Sequence, residues 1–219
     1  LVYDTRFSPR NLRSTEGEDE VNFPITRHIQ RYEYIAISQY LSDKIVLDVG
    51  CGCGYGTTLL SFYTKEIIGI DPVLATYPDF KPPQLVFSVP GCKHGKISFH
   101  PTSWESIDTS KSKFDAVIAI ETIEHIAQPE KFIKCVAKIS PFLFLTTPLA
   151  ETTGATRNRE HIAEYSLTDL NKIVETGFDI LERKYQTGDL VISNDGKFTG
   201  DSYTWEHTVQ MLWCKRKET

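Results

Sequence analysis

Residues 45 to 56, IVLDVGCGCGYG, run an apolar stretch directly into four alternating glycines. Ile45, Val46 and Leu47 suit a buried parallel strand, and Gly50, Gly52, Gly54 and Gly56 let the backbone turn where side chains would clash. Thr57 to Phe62 then resume an apolar helical pattern. Strand, glycine turn and helix in succession predict backbone N–H groups and a positive helix end aimed at a ligand, which suits an anionic or carboxylate-bearing cofactor. The dinucleotide spacing G-x-G-x-x-G fits poorly, because Tyr55 stands where its third glycine would fall.

What stands there instead, Asp48-x-Gly50-x-Gly52-x-Gly54, resembles the first motif of class I S-adenosylmethionine-dependent methyltransferases. The resemblance implies that Asp48 helps hold the cofactor's amino group through bound water or loop backbone. It also implies that Gly50, Cys51, Gly52 and Gly54 let the methionine and ribose portions lie against the turn.

Composition bounds the rest. A chain of 219 residues is long enough for one α/β domain with a large core, expected over residues 25–219 behind a polar N-terminal segment, residues 1–24. No apolar stretch approaches the roughly 20 residues that cross a bilayer, and the first residues show no charged start followed by an apolar run. No membrane association and a cytoplasmic location are expected. Of the five cysteines, Cys51 and Cys53 are too close for an unstrained disulfide, and no second cysteine pair backs a metal role for them. A net charge of −5 argues against broad nucleic-acid binding. Oligomeric state is not legible.

From Ile25 to Leu41 the pattern predicts an amphipathic helix, with Thr26 as N-cap and Ile29, Tyr32, Ala36 and Tyr40 on one side. Arg31 and Tyr32 either pack that helix or reach over the cofactor. Lys65 to Ile70 reads as a second strand ending at Asp71, about 20 residues past the glycine turn, where a carboxylate can accept ribose hydroxyls; Pro72 follows in the same loop. Prolines break residues 72 to 96 into an irregular or hairpin-like insertion. Ser103 falls where many methyltransferases carry an adenine-binding aspartate, and Trp104 is placed either to cover the adenine or to pack in the core. Residues 114–120 and 141–148 are further strands. Ser166 and Asp169 form a capping box for a helix stopped by Gly177. DILERKYQ and TVQMLWCKRK close the chain as two strands. Five strand–helix units and a terminal hairpin predict a Rossmann-like, doubly wound, mostly parallel seven-stranded sheet with a terminal antiparallel strand.

Ligands of such sheets lie beyond the carboxyl ends of the strands, so Glu121, Thr122 and the loop after Pro148 are expected to share the site. The segment Glu121-Thr122-Ile123-Glu124-His125 resembles the ETIEH stretch of methyltransferases that modify sugars and other small molecules, often in glycan biosynthesis. RHIQRY, and Asn158, His161, Glu164 and Tyr165, extend the resemblance. It implies S-adenosyl-L-methionine as cofactor, flanked by Ser103, Trp104 and Glu121, and O-methylation of a small acceptor such as a nucleotide sugar or glycan. His125 and His161 are the candidate bases, because neutral imidazole is available near pH 7, with Glu121 beside them.

Glu121, Glu124, His125 and His161 together also have the ligand types for one Mg or Mn ion. Their spacing is similar to that of metal-dependent small-RNA 2'-O-methyltransferases. A helix over this stretch would turn Glu124 away from Glu121. A catalytically silent cofactor-binding accessory protein is the remaining alternative.

Overall fold

A computed structural model describes residues 25–38, 40–76, 79–81, 95–150, 160–187, 191–193 and 208–218. The segment 1–24, the insertion over 82–94, the stretch 151–159 with Asn158, and most of the excursion over 187–203 lie outside the described residues, as does the side chain of Thr26. Two compact units divide at Thr102 and Ser103.

The first unit begins with helix α1, Ile25–Ala36. Ile29, Tyr32, Ile35 and Ala36 bury one stripe of it, as the spacing predicts. The helix ends before Tyr40 because the chain tightens at Ser38, whose N–H donates to the Ile35 carbonyl at 3.0 Å. Ile37 is left 79% exposed. Strand β1 is Ile45–Val49, helix α2 Tyr55–Leu60, strand β2 Glu66–Ile70 and strand β3 Lys96–His100. The three strands are parallel in the order β3-β2-β1. A 3-10 turn, Pro72–Thr76, starts the irregular segment after β2.

The second unit contains β4, Ala116–Ile120, buried at every residue, as its unbroken apolar sequence predicts. Helix α3, Pro129–Ile139, takes proline at its first turn, where the missing N–H costs nothing. Phe132, Ile133, Val136 and Ile139 line its buried face, each stabilising the core by about 1.5–3 kcal/mol. Strand β5 is Phe142–Pro148, helix α4 Leu167–Val174, and strands β6, β7 and β8 are Phe178–Thr187, Val191–Ser193 and Val209–Arg216. Their order is β4-β5-β8-β6-β7. β4 and β5 run parallel, and β8 lies antiparallel between β5 and β6. Ser166 caps α4 by accepting from the Asp169 N–H at 3.1 Å, and its hydroxyl donates back to the Asp169 carboxylate at 2.8 Å.

The seven expected strands all form. The short β7, paired with the end of β6, is an eighth that the turn-rich sequence around it concealed. No described helix is long and apolar enough to cross a membrane.

Candidate active site

Asp48 is fully buried one residue before the end of β1. The Thr57 hydroxyl donates to its Oδ2 at 2.7 Å, and the Tyr32 phenol reaches both carboxylate oxygens at 3.4 and 3.5 Å. Burial pushes its pKa up to about 7, the two hydroxyl donors opposing that rise and the Asp71 charge adding to it. Tyr32 comes from α1 and also packs over Gly56, where a Cβ would sit 2.1 Å from its ring. Only glycine admits that approach. Tyr32 therefore does pack its helix, and it does so against the glycine turn.

Gly50, Gly52 and Gly54 all hold positive φ, so the alternating glycines have a backbone cause. One expectation needs correcting. The N–H groups of Gly50 and Cys51 donate to the Ile70 carbonyl, and that of Gly54 donates to the Cys51 carbonyl. They close the loop rather than point outward, because buried backbone donors must find partners. The Gly52 N–H donates to Asp71 Oδ2 at 2.8 Å, and the Val73 N–H to Asp71 Oδ1 at 2.9 Å. Asp71 is thus fixed by backbone, and each carboxylate oxygen keeps a second lone pair for a ligand hydroxyl. Cys51 is 3% exposed with its thiol pKa raised, first by burial; it packs the loop. Pro72 begins the exposed turn beyond Asp71.

In the second unit, Ser103 precedes the 3-10 turn Trp104–Ser106 without a side-chain capping bond. The Trp104 ring meets Phe132 edge-on at 5.6 Å, which realises the packing alternative at least on that side. Glu121 has φ of 48°, a left-handed conformation uncommon outside glycine and asparagine. It is held there by the Thr146 carbonyl, which accepts its N–H at 3.1 Å, and by the Thr146 hydroxyl, which donates to its Oε1 at 3.0 Å. The stretch after it is a 3-10 turn, Ile123–His125, and not a continuous helix.

That turn delivers Glu124 and His125 to the same place as His161. Donor atoms of these three residues all lie within 4.8 Å of one another, and Glu121 is not among them. The Thr147 hydroxyl donates to Glu124 Oε2 at 3.0 Å. His161 Nδ1 lies 2.8 Å from Glu164 Oε1, and His125 Nδ1 lies 3.1 Å from the Glu160 carbonyl. Both partners only accept, so each Nδ1 carries the proton and the lone pair sits on Nε2. The rings meet nearly at right angles with centroids 5.0 Å apart. Burial lowers the pKa of His125, with the neighbouring His161 adding to the effect. Backbone ties bring the two segments together, the N–H groups of Ile162 and Ala163 donating to the Glu124 carbonyl at 2.8 and 3.1 Å.

Sequence reasoning gave no role to Thr57, Thr147 or the Glu160 carbonyl. Thr57 lies in the first turn of the helix after the glycines and Thr147 one residue before the end of β5, which are positions where short hydroxyls reach a neighbouring carboxylate. The carbonyl has no sequence signal at all.

A glycine turn that follows a buried aspartate on β1 and donates from Gly52 to a second carboxylate just past the end of β2 is the arrangement of a methyltransferase domain with the Rossmann-like fold. Residues 26–183 match the family described as "Methyltransferase domain", and the chain belongs to that family. It is 38% identical over 111 residues to the mitochondrial ubiquinone biosynthesis O-methyltransferase of Mus musculus, over 49% of this chain and 29% of that one. It is 26% identical to a ubiquinone biosynthesis O-methyltransferase of Methylobacterium sp. (strain 4-46), over 82% of this chain and 70% of that one. The match therefore spans under a third of the mouse relative's length. Among solved structures, magnesium protoporphyrin IX methyltransferase from Synechocystis PCC 6803 with bound S-adenosylmethionine superposes with a TM-score of 0.58 at 16% identity, covering 97% of this chain and 93% of that one. Small RNA methyltransferase HEN1 gives 0.62 at 20% identity, covering 94% and 27%.

Proposed function

We propose that this methyltransferase methylates oxygen on a small hydroxylated acceptor held at Glu124, His125 and His161 through a divalent cation. The observation that carries this reading is the convergence of those three donors within 4.8 Å. Convergence fits a cation better than a lone base, since a base needs one imidazole and not three ligands. Two imidazoles move the preference from magnesium towards manganese or a softer divalent ion. A three-ligand set also keeps positions open for an acceptor oxygen.

S-adenosylmethionine supplies a methyl group on a sulfonium, which leaves as a neutral thioether and needs no acid. What remains for the protein is to orient the acceptor and dispose of its proton. A cation at the cluster would lower the acceptor hydroxyl's pKa. Glu164 and the Glu160 carbonyl hold the two rings through Nδ1, which leaves the Nε2 lone pairs for a ligand, and Thr147 holds the Glu124 carboxylate. Asp48, Asp71, Gly50, Gly52 and Gly54 are the proposed cofactor residues of the first unit, and Ser103, Trp104 and Glu121 those of the second. The names of the ubiquinone O-methyltransferase relatives favour oxygen as the methylated atom. Sugars and catechols both offer vicinal hydroxyls that can chelate a cation. The net charge of −5 disfavours an RNA backbone as acceptor.

Calorimetric titration of manganese into the parent, Glu124→Gln and His161→Ala tests the site. Transfer of labelled methyl to a panel of catechols and nucleotide sugars, with and without EDTA, tests the reaction. Saturable manganese binding lost in both variants, with EDTA-sensitive transfer, supports the reading. Transfer that survives EDTA and persists in Glu124→Gln overturns it in favour of an imidazole base, which contributes about a hundred- to ten-thousandfold on its own.

A further inference from the structure

Asp48 is a buried carboxylate whose described partners are all neutral or acidic. Tyr32 faces it from α1, Cys51 from the loop, Thr57 from α2, and Asp71 from the end of β2. Its hydrogen bonds come from two hydroxyls, the shorter being that of Thr57 at 2.7 Å. A hydroxyl suits either state of the acid, donating to the carboxylate or accepting from the carboxylic acid by rotating its hydrogen. A charge with no cation among its described neighbours in a buried place is costly, which favours the proton. S-adenosylmethionine brings an ammonium and a sulfonium, which favour the charge.

We propose that cofactor binding is coupled to loss of one proton from Asp48, and that Thr57, with Tyr32, is the positioning residue that sets the pH at which the coupling operates. The O–H bond of the Asp48 carboxylic acid breaks, the proton passes to solvent, and the carboxylate remains hydrogen-bonded to the Thr57 hydroxyl. No redox partner or further reactant takes part. Burial pushes the carboxyl up to about 7, so the coupling falls in the range where the enzyme would work.

Calorimetry of S-adenosylhomocysteine binding, repeated at each pH in buffers of different ionisation enthalpy, counts the protons exchanged. The product carries an ammonium but no sulfonium, and the same series with S-adenosylmethionine reports the extra charge. Near pH 6 the parent releases most of a proton more than Asp48→Asn does, and the excess vanishes by about pH 9 and again well below the midpoint of the bound form. Thr57→Val removes a bond to the charged form and moves this profile up by about one unit. Its affinity falls about fivefold at pH 7 and rejoins the parent at high pH. A uniform loss at every pH would mean that Thr57 only packs the loop, and would overturn its assignment.

The parent alone gives an independent readout, because the Asp48 carboxyl carbon can be titrated by NMR with and without ligand. A midpoint near 7 that drops by about two units or more on saturation supports the coupling. A midpoint unchanged by ligand, or equal proton exchange in the parent and Asp48→Asn, overturns it. Absence of any binding by the parent is a different result, which would remove the cofactor site itself.

Discussion

His161 Nδ1 lies 2.8 Å from Glu164 Oε1, with both side chains less than one-tenth exposed. This carboxylate fixes the ring's tautomer and orientation one step behind the proposed ligand atoms. Glu164→Ala is expected to weaken manganese binding by about 10–100-fold, the usual cost of losing such an outer partner. Calorimetric titration with manganese reads this directly. Unchanged affinity would show that the imidazole is held by the fold alone.

Gly56 has room for no side chain, since a Cβ there would come within 2.1–2.4 Å of three Tyr32 ring atoms. Alanine is the better helix former by about 1 kcal/mol, so propensity and packing pull in opposite directions. Packing should win, because a clash with a buried ring typically costs about 1–3 kcal/mol and occasionally more. Urea denaturation should show Gly56→Ala to be less stable than the parent, and less than additive with Tyr32→Ala.

The raised pKa of Asp48, about 7, has a consequence for the stability of the ligand-free protein. An acid whose folded pKa lies above its unfolded value binds more protons when folded. Its stabilising contribution is complete below the unfolded pKa, near 4, and is lost as pH rises through the folded value. Relative to Asp48→Asn, the parent should therefore lose stability from about pH 4 to pH 7 and level off beyond, by an amount on the order of a few kcal/mol. Urea midpoints of both proteins across that range give the comparison. A gap that widens in the opposite direction would show Asp48 to be ionised in the protein without ligand.

Phe132 is fully buried on α3 and takes the edge of Trp104 at 5.6 Å. Phe132→Ala should cost about 3–5 kcal/mol and leave Trp104 in a wetter environment. Chemical denaturation and a red shift of tryptophan emission under native conditions are the two readouts. The protein has three tryptophans, so the shift is assigned by repeating it in Trp104→Phe.

Local signals in the chain carried a large part of this description. Alternating glycines after a β-branched run specify a strand and a tight turn, because few residues tolerate the positive φ that Gly50, Gly52 and Gly54 adopt. Continuous apolar runs specify β4 and β5, and the serine–aspartate pair specifies the start of α4. Asp48 and Asp71 were legible for the same reason, each standing at the end of a strand whose position the pattern had settled.

The sequence by itself determined where the strands lie and which residues are chemically able to act. Only the tertiary structure decided which of them meet. Glu121 and Glu124 both looked able to bind a cation with the histidines, yet a left-handed residue and a 3-10 turn leave Glu121 against Thr146 and carry Glu124 to His161. The loop amides looked ready for a ligand and instead close on Ile70, Asp71 and Cys51. The physical reason is common to both. Side-chain identity and local backbone preference are encoded residue by residue, whereas the partner of a buried polar group depends on chain segments brought together from far along the sequence, as with Glu124 and His161 or Asp48 and Tyr32.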